Sequence, residues 1–173
     1  MIVDFFICDA DELATRFTGW VRPGPDWMPS FDEPYDPDPP DPLDGLQVLQ
    51  GRAFGDPTLD LLIEALLPEQ RPPPSMLAEP PLLAPSGEQF VATVPAAVVK
   101  ALAVGTEDSL TAVLETFLQA LRADIESIGD PGTRNMMLET CTAEQWMPPL
   151  AALAAFARQA HAARLPLHRF QSL

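Results

Sequence analysis

The chain opens on a run of β-branched and aromatic residues, Met1 to Cys8, interrupted by Asp4 and closed by the acidic "DADE". A short run of this kind predicts a buried strand. Asp9 with Glu12 three residues on has the form of a capping box, and Leu13, Phe17 and Trp20 follow at helical spacing. A helix over about Ala10–Trp20 is expected. Periodicity then vanishes until "LDGLQVLQG", read as a short helix closed by Gly51, and "DPTLDLLIEALLP", read as a second. In the latter Asp56 would cap, Pro57 would take the first helical position and Pro68 would stop the helix. Leu59, Leu62, Ile63 and Leu66 form its core stripe.

Further on, "EQFVATV" predicts a strand, and Thr93 is placed as the N-cap of a helix over "VPAAVVKALAVG" that Gly105 ends. Leu110, Val113, Leu114, Phe117, Leu118, Leu121, Ile125 and Ile128 trace one face of a long amphipathic helix over Glu107–Ile128. Thr133–Thr142 has no decisive pattern. "MPPLAALAAFARQAHAAR" is an alanine-rich helix with its prolines in the first turn, and "LPLHRFQSL" is a terminal strand laid beside Met1–Cys8. The whole reads as one α+β domain over residues 1–173, mostly helical, with two or three short strands that include both termini. No internal repeat is present.

Proline changes the picture of the gaps. There are 21 in 173 residues, against about 5 % in average usage, and they crowd into 21–42 and 68–85. Each X-Pro step pushes the preceding residue out of the α region, and proline gives a sheet no N–H. Both segments are therefore read as long surface loops.

Charge narrows the partners. The net charge is −15, with Lys100 the one lysine. Such a surface repels a phosphate backbone and attracts basic proteins. Cys8 and Cys141 are the two cysteines and form no CxxC pair, which reads as buried reduced thiols. "MIVDFFICDADE" lacks the basic start of a signal peptide, and no apolar run reaches the ~18–20 residues of a membrane span. The expectation is a soluble, cytoplasmic protein that engages neither nucleic acid nor membrane, as a monomer or a homodimer.

Candidate chemistry is sparse. Asp36, Asp38, Asp41 and Asp44 before Gly45 superficially suggest a calcium loop, but the spacing is wrong and prolines remove the turn. A solvated acidic loop is the better reading. Neither G-x-S-x-G, nor a P-loop, nor G-x-G-x-x-G, nor H-E-x-x-H occurs. No metal or cofactor site is expected. Cys141 with His161 or His168 is the one conceivable nucleophile and base, yet "LETCTAEQW" has no glycine-rich oxyanion turn, so Cys141 reads as structural. His161 is placed on the inner side of the last helix, near Leu150, Leu153 and Ala157. More informative are Trp27, Phe31 and Tyr35 among the carboxylates Asp32, Glu33, Asp36, Asp38 and Asp41. Aromatics among acids suit a partner's arginine-rich face, or anchoring of the loop on its own core. The seven acids of 26–44 could equally dock on Arg158, Arg164 and Arg169 near the C-terminus.

"LDGLQVLQGRAFGDP", "VATVPAAVVKALAV" and a tryptophan leading into the last helix give the chain an outline that resembles the YfbM-like family of small bacterial proteins of unknown function. That family typically has a tryptophan where Leu43 stands and a histidine where Gln47 stands; Gly51, Phe54, Asp56 and Pro57 keep its pattern. The resemblance implies an α+β fold and brings no activity with it.

These features favour a non-enzymatic binding protein of immunity or regulatory type, engaging a basic partner through Trp27, Phe31, Asp32, Glu33, Tyr35, Asp36, Asp38 and Asp41. The competing expectation is a small hydrolase or transferase with a pocket built on Cys141 and His161.

Overall fold

The computed structural model describes residues 2–21, 41–51, 53–55, 58–70, 81–84 and 88–172. Among the described residues six helices and a five-stranded antiparallel sheet make a mostly helical α+β architecture. The sheet runs β2(Val48–Gln50), β1(Ile2–Ile7), β5(Leu167–Ser172), β4(Gln89–Thr93), β3(Leu82–Leu83) from edge to edge. The strands near the two ends of the sequence are thus central neighbours, paired from Ile2↔Ser172 to Ile7↔Leu167 as expected.

Side-chain alternation divides the sheet into two faces. Val3 and Phe5 of β1, Ala92 of β4 and Leu167 of β5 enter one core, while Phe6, Val91 and Phe170 enter another. The first core is the larger. It is closed by α2(Thr58–Leu66), α3(Ala96–Val104), α4(Glu107–Glu126) and α6(Ala143–Ala163). The second is closed by α1(Ala10–Arg16), which contributes Leu13, with Phe17 at its C-cap.

With both faces covered, β5 has no solvent side, and Leu167 to Gln171 are all buried. This is why "LPLHRFQSL" reads as an imperfect alternation. A strand buried on both faces has no reason to alternate.

The long helix follows its apolar stripe. Leu110, Leu114, Phe117, Leu118, Leu121 and Ile125 are buried, and Thr106 caps the N-terminus by accepting from the Ser109 amide. Thr133–Thr142, patternless in sequence, lies almost wholly within α5(Pro131–Thr140), which buries no residue. What starts it is Asp130, whose carboxylate accepts from the Thr133 amide at 2.7 Å. That bond holds the exposed carboxyl below the ordinary aspartate value.

Several local expectations are corrected. "LDGLQVLQG" is not a helix. Leu43–Leu46 is a turn with Gly45 at φ +75, and Val48–Gln50 is an edge strand on β1. Residues 82–83, inside the second proline-rich connection, form β3, which raises the strand count to five. Both edge strands are too short to show a period; β2 depends on its distant partner β1, whereas β3 pairs with the nearby β4. Thr93 is not a cap. β4 runs through it, Val94 donates to the Leu167 carbonyl, and Pro95 takes the N-cap position of α3. α6 starts at Ala143, so Pro148 and Pro149 lie inside it and leave the carbonyls of Glu144 and Gln145 without their helical donors. Trp146, edge-on to Phe117 at 5.0 Å and to Phe54 at 6.0 Å, ties that first stretch to the core.

Candidate functional site

The α1 side of the sheet carries the most site-like geometry among the described residues. α1 starts on Asp9, whose carboxylate accepts from the Glu12 amide at 2.8 Å. Glu12 does not complete the capping box. Its carboxylate is taken by Arg16, with Nε donating at 3.0 Å and a second guanidinium nitrogen at 2.9 Å. The remaining guanidinium nitrogen donates to the carbonyls of Asp44 (2.7 Å) and Pro42 (3.4 Å). Arg16 therefore clamps the 41–46 turn onto the helix. Asp41 shapes that turn from within, accepting from the Leu43 amide at 2.9 Å. Leu43 goes down into the small core.

The helix ends at Arg16, earlier than the periodicity suggests, because Gly19 turns left-handed at φ +86. That turn swings Trp20 back over the sheet. Its indole stands edge-on to Phe17 at 4.8 Å and leans on Phe170 at 6.3 Å.

Two hollows have Trp20 in their walls. One, of about 460 Å³, is lined by Asp4, Arg16, Asp41, Gln89, Phe170 and Trp20, among others. The other, of about 450 Å³, is apolar, with Leu13, Ala14, Phe17 and Leu82 in its walls. Each lies within the roughly 300–1,000 Å³ range of ligand sites. Six carboxylates, Asp4, Asp9, Asp11, Glu12, Asp41 and Asp44, stand in segments 2–21 and 41–51 against Arg16 as their one base. The buried Cys8 thiol registers that field. Burial first, then Glu12 and Asp9, push it up to about 11.

Beneath this face lies a closed polar cluster. His168, 2 % exposed, stacks on Phe6, and its ring nitrogens meet Thr93 Oγ1 at 3.2 Å and the Cys8 carbonyl at 3.3 Å. Burial holds its imidazole below the ordinary histidine value, partly opposed by the bond to Cys8. On the opposite face Arg169 is 1 % exposed, donates to the Gln171 amide oxygen and lies 5.5 Å from the Phe90 ring centroid.

Of the residues predicted to bind, Asp41 is exposed and edges the acidic hollow. Trp27, Phe31, Asp32, Glu33, Tyr35, Asp36 and Asp38 lie outside the described residues. Asp4, Trp20 and Gln89 were missed. A carboxylate interrupting an apolar strand was the available signal for Asp4, while Trp20 looked like one more core position of a longer helix. The basic cluster at the C-terminal end does not form as a surface, since Arg169 is buried in the sheet while Arg158 and Arg164 are exposed.

Cys141 and His161 are not brought together. Cys141 is buried ahead of α6, its thiol directed at the Leu118 carbonyl, and Arg122 binds its backbone oxygen at 2.9 Å. His161 is exposed at the far end, roughly 27 Å along the helix at ~1.5 Å per residue. Ala160 takes the inner position of the last turn, and His161, about 100° further round, faces outward.

Among the described residues no group of three or more histidine, cysteine or carboxylate side chains is placed to hold a metal ion, and no helix is long and apolar enough to cross a membrane. No family model, curated protein or solved structure matches the chain.

Proposed function

We propose that this protein is a non-enzymatic binding module, of immunity or regulatory type, whose partner is a basic protein. The observation that carries this reading is the acid-edged hollow beside Trp20, in a chain of net charge −15, where Arg16, a basic residue in the hollow's wall, is matched by Glu12. An acidic surface raises the local concentration of a basic partner and speeds encounter, and both effects weaken as salt shortens the Debye length. Cys141 and His161, the pair on which the competing enzymatic reading is built, stand apart, one ahead of α6 and the other near its far end. The resemblance to the YfbM-like family adds no activity to weigh against it.

The test is pulldown from the native lysate at two ionic strengths, followed by titration of each captured protein. A basic partner whose dissociation constant rises at least tenfold between 50 and 300 mM salt supports the reading, those values being of the order expected for charge-dominated association. Capture of no such partner sinks it.

A further inference from the structure

We infer that α5 and the first turn of α6, residues 131–147, form a strap that opens and closes as one unit while the rest of the fold stays intact. This conformational device goes beyond the partner reading above and does not depend on it.

Three observations converge. The strap is thinly attached. Cys141 is its one buried residue, and Leu138, Trp146 and Met147 meet the large core only as half-buried side chains. Its anchors are few and close together. The Cys141 thiol is directed at the Leu118 carbonyl of α4, and Arg122 of α4 donates to the Cys141 carbonyl at 2.9 Å. Trp146 completes the set, edge-on to Phe117 and Phe54. The third observation is a built-in break. Among the helical bonds that cross from the first turn of α6 to its body, those that Pro148 and Pro149 would donate are missing. Thr142, at the N-cap, adds no side-chain bond to hold that turn.

Helix physics makes these parts move together. At ten residues α5 falls short of the roughly 12–15 that an isolated helix needs in water. Gly132, Thr133, Asn135 and Thr140 are also poor helix formers. It therefore persists only while docked on α4. Cys141 links the two halves, since it ends α5 by donating its amide to Leu138 and is itself held by Arg122. Releasing that post frees both sides. Opening lifts the indole from Phe54 and Phe117, two otherwise buried rings, and uncovers the aromatic slot between them. Cys141 leaves the core with the strap, so its thiol is reached through this opening, far more slowly than an exposed thiol.

The experiment is native-state hydrogen exchange on the full chain, read amide by amide in increasing urea. Amides 134–141 and 145–147 are expected to share one opening equilibrium, on the order of 100-fold or more above that of β5. Their urea slope should be smaller, because less surface is exposed. Arg122→Met keeps an apolar stem and removes the donor to Cys141, and it should raise exchange severalfold in both groups of amides with β5 unchanged. Pro148→Ala restores a donor for the Glu144 carbonyl. It should slow exchange severalfold relative to β5, in α5 as well as in the turn it touches.

Equal opening constants and urea slopes in the strap and in β5 would overturn the inference, since the molecule would then open only as a whole. Exchange of 134–141 apart from 145–147, or indifferent to both variants, would overturn it too, because α5 would then fray by itself. Each of these outcomes leaves the basic-partner reading where it stands.

Discussion

At the scale of single residues, the least expected feature is how much polar chemistry is sealed inside. His168, Arg169 and Gln171 are three buried polar residues on one strand. They survive there because each finds a partner on its own face. His168 has Thr93 and Cys8, whereas Arg169 has Gln171 and the ring of Phe90. For His168 burial has a measurable consequence. Its folded-state value lies below 6.5. The unfolded chain takes up a proton as pH falls past about 6.5, while the folded chain stays neutral to lower pH, so the folded state loses stability over that window. The slope attributable to one such group is at most about 1.4 kcal/mol per pH unit. Urea midpoints measured from pH 7.5 to 5 should fall more steeply for the native protein than for His168→Gln. Parallel curves would remove His168 from the account. The thiols make a second prediction. Cys8 and Cys141 are about 1 % exposed and the Cys8 thiol is pushed up to about 11, so alkylation at neutral pH should proceed at the rate of unfolding and accelerate sharply in urea. Fast labelling of Cys141 in the native protein would reopen a nucleophilic role.

Secondary-structure elements divide into those that announce themselves and those that are made by their neighbours. α4 states its buried face over five turns of sequence, and α1 its capping aspartate. β2 does neither. It exists because Gly51 lets the chain pass directly over Phe5, the amide of Gly51 donating to Val3 at 2.8 Å. A Cβ at Gly51 would lie 2.4 Å from the Phe5 ring, and that ring is itself fully buried. Gly51→Ala should therefore cost about 1–3 kcal/mol by overpacking, seen as a lowered denaturant midpoint at unchanged slope. On the opposite layer, Phe117 is 1 % exposed and meets Trp146 edge-on, and Phe117→Ala should cost about 3–5 kcal/mol. A loss under 1 kcal/mol would mean that α4 and the start of α6 are not packed as described. α1 is the helix that closes the smaller core. Asp9→Ala removes its side-chain cap, for about 1 kcal/mol, and should be seen as a lowered urea midpoint.

For the whole molecule, charge and topology act together. A net charge of −15 on a chain of 173 residues opposes compaction, so the melting temperature should rise between 20 and 300 mM salt even as partner binding weakens. Opposite trends in the two measurements separate self-repulsion from recognition. The α+β class, the pairing of the two terminal strands, and α2, α4 and the body of α6 were legible in the sequence, because each rests on an apolar period or a local cap long enough to exceed its surroundings. So was the net negative charge, since charge is additive and needs no fold. The hollows beside Trp20 were not legible. Asp4 and Asp41 are 37 positions apart, and Trp20 reaches them only because Gly19 turns the chain and Arg16 clamps the 41–46 turn to α1. The edge strand β2, the outward face of His161 and the burial of Arg169 share that origin. They follow from which faces of the sheet are covered, and local propensity carries no record of contacts closed across the whole length of the chain.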